Sequence, residues 1–229
     1  DPEFAVAYFI HQGYPAESVK EYLLTLMNSN YEDWRRANPD ARCEEFPFSL
    51  KKMSPSGALF DLVKFTDVSK NVISRMSAGR ILELALAWAA EFSPELHKRL
   101  SARPEYAKAM LSIDRTGKKP RKDIAKWDEL MEYFDYFYNA DFPLILPEGR
   151  SKADAAEILA AYCGVYRHDD DRDAWFARVK DLCAPLGYSP DVKAYKAAPD
   201  QFKGHVGDVS AVIRAAITGR LNTPDLHSI

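Results

Sequence analysis

The sequence predicts a fold built almost entirely of α-helices, and three observations support this prediction. Apolar residues recur three and four positions apart along most of the chain, which is the period of an amphipathic helix. Residues that start or stop helices, among them Pro94, Pro104 and Gly219, stand at the ends of these segments. Runs of β-branched residues bounded by glycine-rich turns, which would indicate strands, do not occur. With 229 residues, 47% of them hydrophobic, the chain can form one large domain or two to three small ones.

The first 65 residues are predicted to form two helices followed by an irregular connection. Asp1-Pro2-Glu3 combines a capping carboxylate with proline at the first helical position, and Gly13 ends that helix. Pro15 opens a second helix. The stretch 46–65 mixes short apolar runs with helix breakers, so little regular helix is expected there. The apolar face of the second helix is predicted to consist of Val19, Tyr22, Leu23, Leu26 and Met27.

The rest of the chain is predicted to alternate helices with connectors. Asp67 is expected to cap a helix, and Gly79 separates it from a nearly all-apolar helix over 81–92 that should be deeply buried. Short helices start at the two prolines named above, and 139–150 reads as a connector. Further helices are expected over 122–137, 152–162, 172–184 and 206–218, with a new helix beginning at Thr223-Pro224-Asp225.

Charge and cysteine content narrow the function classes. The net charge of −3 argues against a surface that is basic throughout, so nucleic-acid binding would need local basic patches. No apolar run reaches the ~18–20 residues that span a bilayer. Cys43, Cys163 and Cys183 are widely spaced, which suits a reducing cytoplasm. Cys163 and Cys183 lie in apolar helical patterns and are predicted to be core residues.

Three motif-like stretches are interpreted as structural. Residues 52–56 resemble a phosphate-holding loop, but Pro55 replaces its second lysine. Residues 205–208 resemble a nucleotide-binding motif, but Asp208 replaces its final histidine, and the two stretches occur in the wrong order. The run 168–173 clusters carboxylates, yet consecutive residues cannot all face one ion, so a solvated turn with acids at the start of a helix is predicted. No catalytic residue and no metal ligand is assigned.

Arg115, Lys118, Lys119, Arg121 and Lys122 form a basic cluster within eight residues. Such a loop can follow a phosphate backbone. A solvated linker accounts for the same charges, and the spacing does not decide between the two interpretations.

The C-terminal corner is the second basic candidate. An apolar stripe docks the helix 206–218 on a core and leaves Arg214 at its rim. Because the turn to Thr223 is short, a guanidinium, a hydroxyl and the free N–H groups of a new helix are expected to converge. Such a group suits a base edge or a phosphate, whereas ordinary helix capping explains the same residues.

This corner resembles the C-terminal end of bacterial glutamyl-tRNA synthetases. The family pattern L-R-x-A-L-T-G-x-x-x-x-P-x-L corresponds to residues 213–219 followed by 223–226. Residues 60–65 resemble the F-D-L-x-K-L signature of the stem-contact region, and Asp1-Pro2-Glu3 resembles the residues just behind the catalytic K-x-S-K-R-K loop. The similar segments follow the family's order along nearly the whole chain.

The resemblance implies an all-α anticodon-binding bundle preceded by the helical part of a stem-contact domain. The implied domains are a stem-contact remnant over 1–80 and two anticodon-binding subdomains over 81–150 and 151–229. The residues implied to contact anticodon bases are Arg214, Thr223, Pro224 and Leu226, with Arg121, or alternatively Arg115, at the third base. Apart from the resemblance, the charge pattern of the basic loop makes Arg115, Lys118, Lys119 and Lys122 the possible phosphate contacts.

The family joins glutamate to tRNA with ATP and Mg²⁺ through a catalytic domain that would lie upstream. The chain is therefore expected to be a cytoplasmic tRNA-binding fragment that holds no cofactor and is inactive alone. Expected partners are tRNA(Glu) and, for a less selective parent, tRNA(Gln), with neither membrane nor DNA. The alternative is a helical protein-interaction module without RNA binding, which the net negative charge favours.

Overall fold

A computed structural model confirms the all-α prediction. It describes residues 6–53, 57–115, 117 and 120–229, within which there is no β-strand. The helices of this part of the chain are α1 Val6–His11, α2 Ala16–Met27, α3 Tyr31–Ala37, α4 Leu62–Arg75, α5 Ala78–Phe92, α6 Pro94–Ala102, α7 Pro104–Ser112, α8 Glu129–Tyr133, α9 Lys152–Val165, α10 Arg172–Cys183, α11 Val192–Ala197 and α12 Val206–Thr218. None of these helices is both long and apolar enough to cross a bilayer.

The chain forms two compact units, Asp1–Asp135 and Tyr136–Ile229. They are called the first unit and the second unit below. The three-part division at residues 80 and 150 stays a prediction. The predicted helix start at Asp1-Pro2-Glu3 lies outside the described residues.

In the first unit, α2 packs on α4, and α5 packs on α6 and α7. One core cluster centres on Phe9, Tyr22 and Phe65. The face that α2 buries differs from the predicted one, because Leu23 is 45% exposed whereas Glu21 is buried. The sequence pattern located the helix correctly but misplaced one edge of its buried face.

The predicted cap of α4 is wrong. The Asp61 carboxylate accepts a hydrogen bond from the Lys64 backbone N–H at 3.1 Å, so the helix begins at Leu62. Asp67 is an exposed residue within the helix. Both aspartates precede apolar residues. Asp61 is the cap because the residues between it and Asp67 already adopt helical backbone.

Helix α5 is buried on one face only, which corrects the prediction of deep burial. Ser77 caps it, so Gly79 lies in its first turn and does not separate two helices. Its buried residues are Ile81, Leu82, Ala85 and Ala89, spaced along one stripe.

The predicted helix over 122–137 is also wrong. Only α8 and a 3₁₀ turn at Asp135–Phe137 are helical there. The backbone upstream of α8 is bonded to distant residues instead: the Trp127 N–H donates to the Gly13 carbonyl at 2.9 Å, and the Ser69 hydroxyl donates to the Ala125 carbonyl at 2.5 Å. These tertiary bonds hold the segment in an irregular path.

The second unit packs α9, α10 and α12 around one core. Cys183 is buried in this core, as predicted, but Cys163 is exposed, so its assignment to the core was wrong. Ser151 caps α9, and Asp171 caps α10.

A backbone clasp joins the two ends of the segment that carries α11. The Ser189 N–H donates to the Gly204 carbonyl at 2.9 Å, and the Val206 N–H donates to the Ser189 carbonyl at 2.8 Å. The Lys203 N–H donates to the Gly187 carbonyl at 2.8 Å. The clasp holds residues 190–202 as a closed and largely exposed loop just before α12.

Candidate nucleic-acid interface

Helix α12 has the bounds that the sequence predicts, 206–218, and both of its ends are capped. The His205 Nδ1 accepts from the Gly207 N–H at 2.9 Å, and the Asp208 carboxylate accepts from the His205 N–H at 2.7 Å. These bonds form a capping box. The stretch 205–208 thus starts a helix, as interpreted from the sequence. At the other end Gly219 adopts the left-handed conformation, with φ of 65°.

The turn after α12, residues 219–226, is called the C-terminal turn below. Arg214 reaches across it: Nη1 donates to the Pro224 carbonyl at 2.8 Å and the Thr223 carbonyl at 3.3 Å, and it also contacts the Thr223 hydroxyl. Thr223 and Leu226 are buried. Leu226 belongs to the core of the second unit. The turn therefore brings together Arg214, Thr223 and Pro224 and anchors the fourth predicted residue beside them.

The expected helix at Thr223-Pro224-Asp225 does not form. The only helical residues after the turn are a 3₁₀ turn at Leu226–Ser228. The groups that face the Arg214 guanidinium are consequently carbonyl and hydroxyl oxygens rather than the N–H groups of a helix start. This mixture of cationic donors and neutral acceptors suits the edge of a nucleic-acid base, which carries both kinds of group.

Helix α10 and the residues just before it contact the end of the C-terminal turn and the residue that follows it. The Arg172 guanidinium pairs with the Asp225 carboxylate at 2.8 Å, and the Trp175 ring lies 5.8 Å from the His227 ring. The Asp170 carbonyl is 3.1 Å from His227 Nε2. The acidic run 168–173 thus belongs to a helix start, as predicted: Asp171 caps α10, and Asp170 pairs with Arg178. Within the described residues, no group of side chains could hold a metal ion.

In the first unit, the predicted arginines of the basic loop are engaged within the protein. Arg115 donates to the Leu111 carbonyl at 2.6 Å and to the Ile73 carbonyl at 3.2 Å, and burial lowers the pKa of its guanidinium. The Arg121 guanidinium bonds to the Asp123 carboxylate, which also accepts from the Tyr133 hydroxyl at 2.6 Å.

The carboxyl of Asp123 reflects this pairing. Burial would raise its pKa, but the bonds from Arg121 and Tyr133 outweigh burial and lower it. Lys122 is exposed, and its ammonium has no ion-pair partner among the described residues. Lys118 and Lys119 lie outside those residues, as do Ser54, Pro55 and Ser56 of the stretch 52–56.

The basic loop lines a cleft of about 1050 Å³ in the first unit. At the cleft wall, the buried Glu21 carboxylate accepts from Arg35 at 2.9 Å and from Arg75 at 2.6 Å. Arg35 also donates to the Tyr31 hydroxyl at 3.2 Å, and burial raises the pKa of that hydroxyl to about 12. The cationic residues that line the cleft are Arg35, Arg36, Lys64, Arg75, Arg115 and Lys122.

No pattern in the sequence indicates the Glu21 cluster, which consists of Glu21, Arg35 and Arg75, or the contacts from α10 to the C-terminal turn. Their residues are far apart in the chain, so no local spacing signals them. The sequence carried no signal for Glu21 either, because it shares its buried face of α2 with Ser18 and Tyr22 and interrupts no apolar stripe.

The chain is similar along its whole length to glutamate–tRNA ligases of several bacteria. It is 44% identical over 231 residues to the protein of Acetivibrio thermocellus, 44% over 235 residues to that of Clostridium perfringens, and 41% over 237 residues to that of Sorangium cellulosum. These matches cover 100% of this chain but only 41–43% of the relatives, so the chain spans less than half of their length. No family model matches the chain.

Proposed function

Because this chain matches part of the glutamate–tRNA ligases along its whole length, we propose that it is the tRNA-binding C-terminal portion of such an enzyme. In this role the second unit reads the anticodon of tRNA(Glu) through Arg214, Thr223, Pro224 and Leu226. The supporting observation is the C-terminal turn itself, where a guanidinium meets two carbonyl oxygens and a hydroxyl. A base that displaces part of these bonds finds both donors and acceptors.

The first unit adds sequence-independent contacts in this proposal. Lys122 presents an exposed ammonium beside a cleft whose wall carries further cations, most of them paired with carboxylates. Phosphate contacts of this kind increase affinity without reading sequence. Lys118 and Lys119 extend the same loop, and Arg121 or Arg115 remains the candidate for the third anticodon base. The bonds of both arginines within the first unit mean that either would have to exchange partners to reach RNA.

The chemistry of the whole enzyme lies in the part of the relatives that this chain does not match. That part would bind ATP and Mg²⁺ and join glutamate to the tRNA, in the cytoplasm. The chain described here supplies binding and orientation, and tRNA(Gln) is a second partner if the parent enzyme is less selective. We expect no ligation from the chain alone.

Binding of tRNA(Glu) transcripts, each with one substituted anticodon base, tests the proposal. We expect each informative substitution to weaken binding about tenfold, the size of one well-formed base contact. Arg214→Ala should remove this dependence on the anticodon. Arg167→Ala is the matched control, since it removes an exposed arginine of the same unit whose guanidinium donates to the adjacent Tyr166 carbonyl at 2.8 Å.

Two results would contradict the proposal. One is wild-type binding that ignores every anticodon substitution, and the other is an Arg214→Ala variant that discriminates as the wild type does. Binding that is also insensitive to salt would favour the protein-interaction alternative, because phosphate contacts make affinity fall steeply as salt rises.

A further inference from the structure

Phe142, in the predicted connector 139–150, packs directly on Gly219. A Cβ atom built on Gly219 would lie 2.6 Å from Cδ2 and 2.8 Å from Cγ of the Phe142 ring. The ring thus fills the space that any other side chain at Gly219 would need. The contact falls on the first residue of the C-terminal turn, where the backbone takes its left-handed conformation.

The chain that follows Phe142 is anchored four and five residues later. Leu146 packs against the core of the second unit, and Pro147 is buried. Between these anchors and Phe142 the chain is exposed, with Leu144 55% accessible. Phe142 is itself partly buried, and its ring lies against the start of the turn.

The start of the turn is bonded to the residues of the proposed base site. The Thr218 hydroxyl donates to the Arg214 carbonyl at 2.7 Å and accepts from the Arg220 N–H at 3.1 Å. The opposite side of the turn is closed by the bonds from Arg214 to Thr223 and Pro224. A shift at Gly219 would move the backbone that leads from one side of the site to the other.

We infer that Phe142 is a positioning residue for recognition of the anticodon, an inference that rests on the proposed function. Its ring holds the C-terminal turn so that the carbonyl groups at Thr223 and Pro224 stay within reach of the Arg214 guanidinium. Phe142 acts through Gly219 and does not itself contact the base. The connector, which carries no charge pattern typical of RNA binding, thereby contributes to specificity.

Three variants of the full chain test the inference. Phe142→Ala removes the ring, Phe142→Tyr keeps it, and Leu144→Ala truncates an exposed neighbour on the same segment. For each variant we would measure amide hydrogen exchange in 219–226 and the ratio of affinities for tRNA(Glu) with native and substituted anticodons.

We expect Phe142→Ala to raise amide exchange in the C-terminal turn at least tenfold, while exchange in α9 stays as in the wild type. We also expect the affinity ratio to fall about fivefold. Phe142→Tyr should restore both values, and Leu144→Ala should change neither. A purely stabilising role would instead raise exchange throughout the second unit.

The inference and the proposed function fail in different ways. Unchanged exchange in the turn of Phe142→Ala overturns the inference, whatever the RNA measurements give. Faster exchange with an unchanged affinity ratio also overturns it, provided that Arg214→Ala loses discrimination. If Arg214→Ala discriminates as the wild type does, the proposed function fails, and the inference that Phe142 serves recognition fails with it.

Discussion

The two regions predicted to contact RNA, the C-terminal turn and the basic loop 115–122, use their arginines differently. Arg214 is bonded to neutral oxygens of the turn that forms the proposed site. In the loop, Arg115 donates to carbonyl groups in the last turns of α4 and α7, and Arg121 is paired with a carboxylate. One arginine thus shapes its own site, whereas the other two stabilise the fold around theirs.

This difference shows why a count of positive residues overestimates a basic patch. A guanidinium paired with a carboxylate, as in Arg121, is already neutralised. A guanidinium bonded to carbonyl oxygens, as in Arg115 and Arg214, keeps its charge but must exchange partners to meet RNA. The partners of a cation, which the sequence does not display, decide whether it is available to RNA.

The largest expected effect comes from the Glu21 cluster. Removing Glu21 tests whether Arg35 and Arg75 stabilise the fold rather than bind RNA. Glu21→Ala leaves Arg35 and Arg75 without their buried carboxylate, and the side chain of Glu21 is only 9% exposed. We expect the free energy of unfolding of the first unit to fall by about 3–5 kcal/mol. Labelling of the buried Cys43 thiol should accelerate more than labelling of Cys183.

Glu83→Ala is the control for this prediction, because Glu83 forms an exposed pair with Arg80 and its loss should change labelling little. Wild-type labelling of Cys43 in Glu21→Ala would contradict a structural role for the cluster.

The second prediction concerns glycine at the C-terminal turn. Gly219→Ala must place a side chain at positive φ and against the Phe142 ring, which should cost about 1–3 kcal/mol of stability. Gly164→Ala, in α9, meets open space at an ordinary helical φ and should raise stability by about 0.5 kcal/mol. Denaturant titration measures both, and effects of the same sign would show that the turn is not held as described.

The third prediction separates the roles of Lys122 and Arg115, two of the five cationic residues of the basic loop. Lys122→Ala should weaken tRNA binding about two- to threefold for every anticodon and reduce the slope of log affinity against log salt by about 1. Arg115→Ala should leave this slope unchanged and lower thermal stability, since two carbonyl groups lose their donor. An altered slope in Arg115→Ala would mean that this guanidinium also meets phosphate.

The smallest expected effect is that the Cys183 thiol does not react with an alkylating reagent. Burial raises the pKa of Cys183 to about 11, so at pH 9 an alkylating reagent should modify the exposed Cys163 and leave Cys183 unmodified. In the unfolded chain the same thiol ionises near pH 8.5. Its contribution to stability is therefore complete below about pH 8.5 and is lost as the pH rises towards 11.

Denaturant titration between pH 8 and 11 checks this sign. Cys183→Ala should flatten part of the decline, while the part that comes from Cys43 and Tyr31, whose pKa values burial also raises, should remain. Equal alkylation of Cys163 and Cys183 in the folded chain would contradict the burial of Cys183.

Helices with strong local signals were predictable, and those set by distant contacts were not. Pro94, Pro104 and Gly219 mark helix ends in the structure where the sequence places them. The prediction of a helix over 122–137 was wrong because the backbone there bonds to residues more than fifty positions away. Helical periodicity is a property of side chains, and it cannot report where a backbone N–H finds its acceptor.

The residues of the candidate site could be predicted from the sequence, but the atoms that they present to Arg214 could not. A short turn was enough to bring Arg214 to Thr223. The expectation of N–H groups there rested on proline as a helix starter, yet proline fits the turn before a 3₁₀ segment equally well. The role of Phe142 depends on space above a glycine, which only the folded backbone reveals.

The backbone clasp between 187–189 and 203–206 has a consequence for protein engineering. Because the clasp, and not the loop, holds the chain ends together, the loop's length is nearly independent of the packing beneath it. Lengthening a closed loop costs little, about 0.6 kcal/mol for each doubling. The exposed stretch after Pro199 is thus a permissive place for a peptide tag or a fluorescent label, reporting on the unit without touching the turn that is proposed to read RNA.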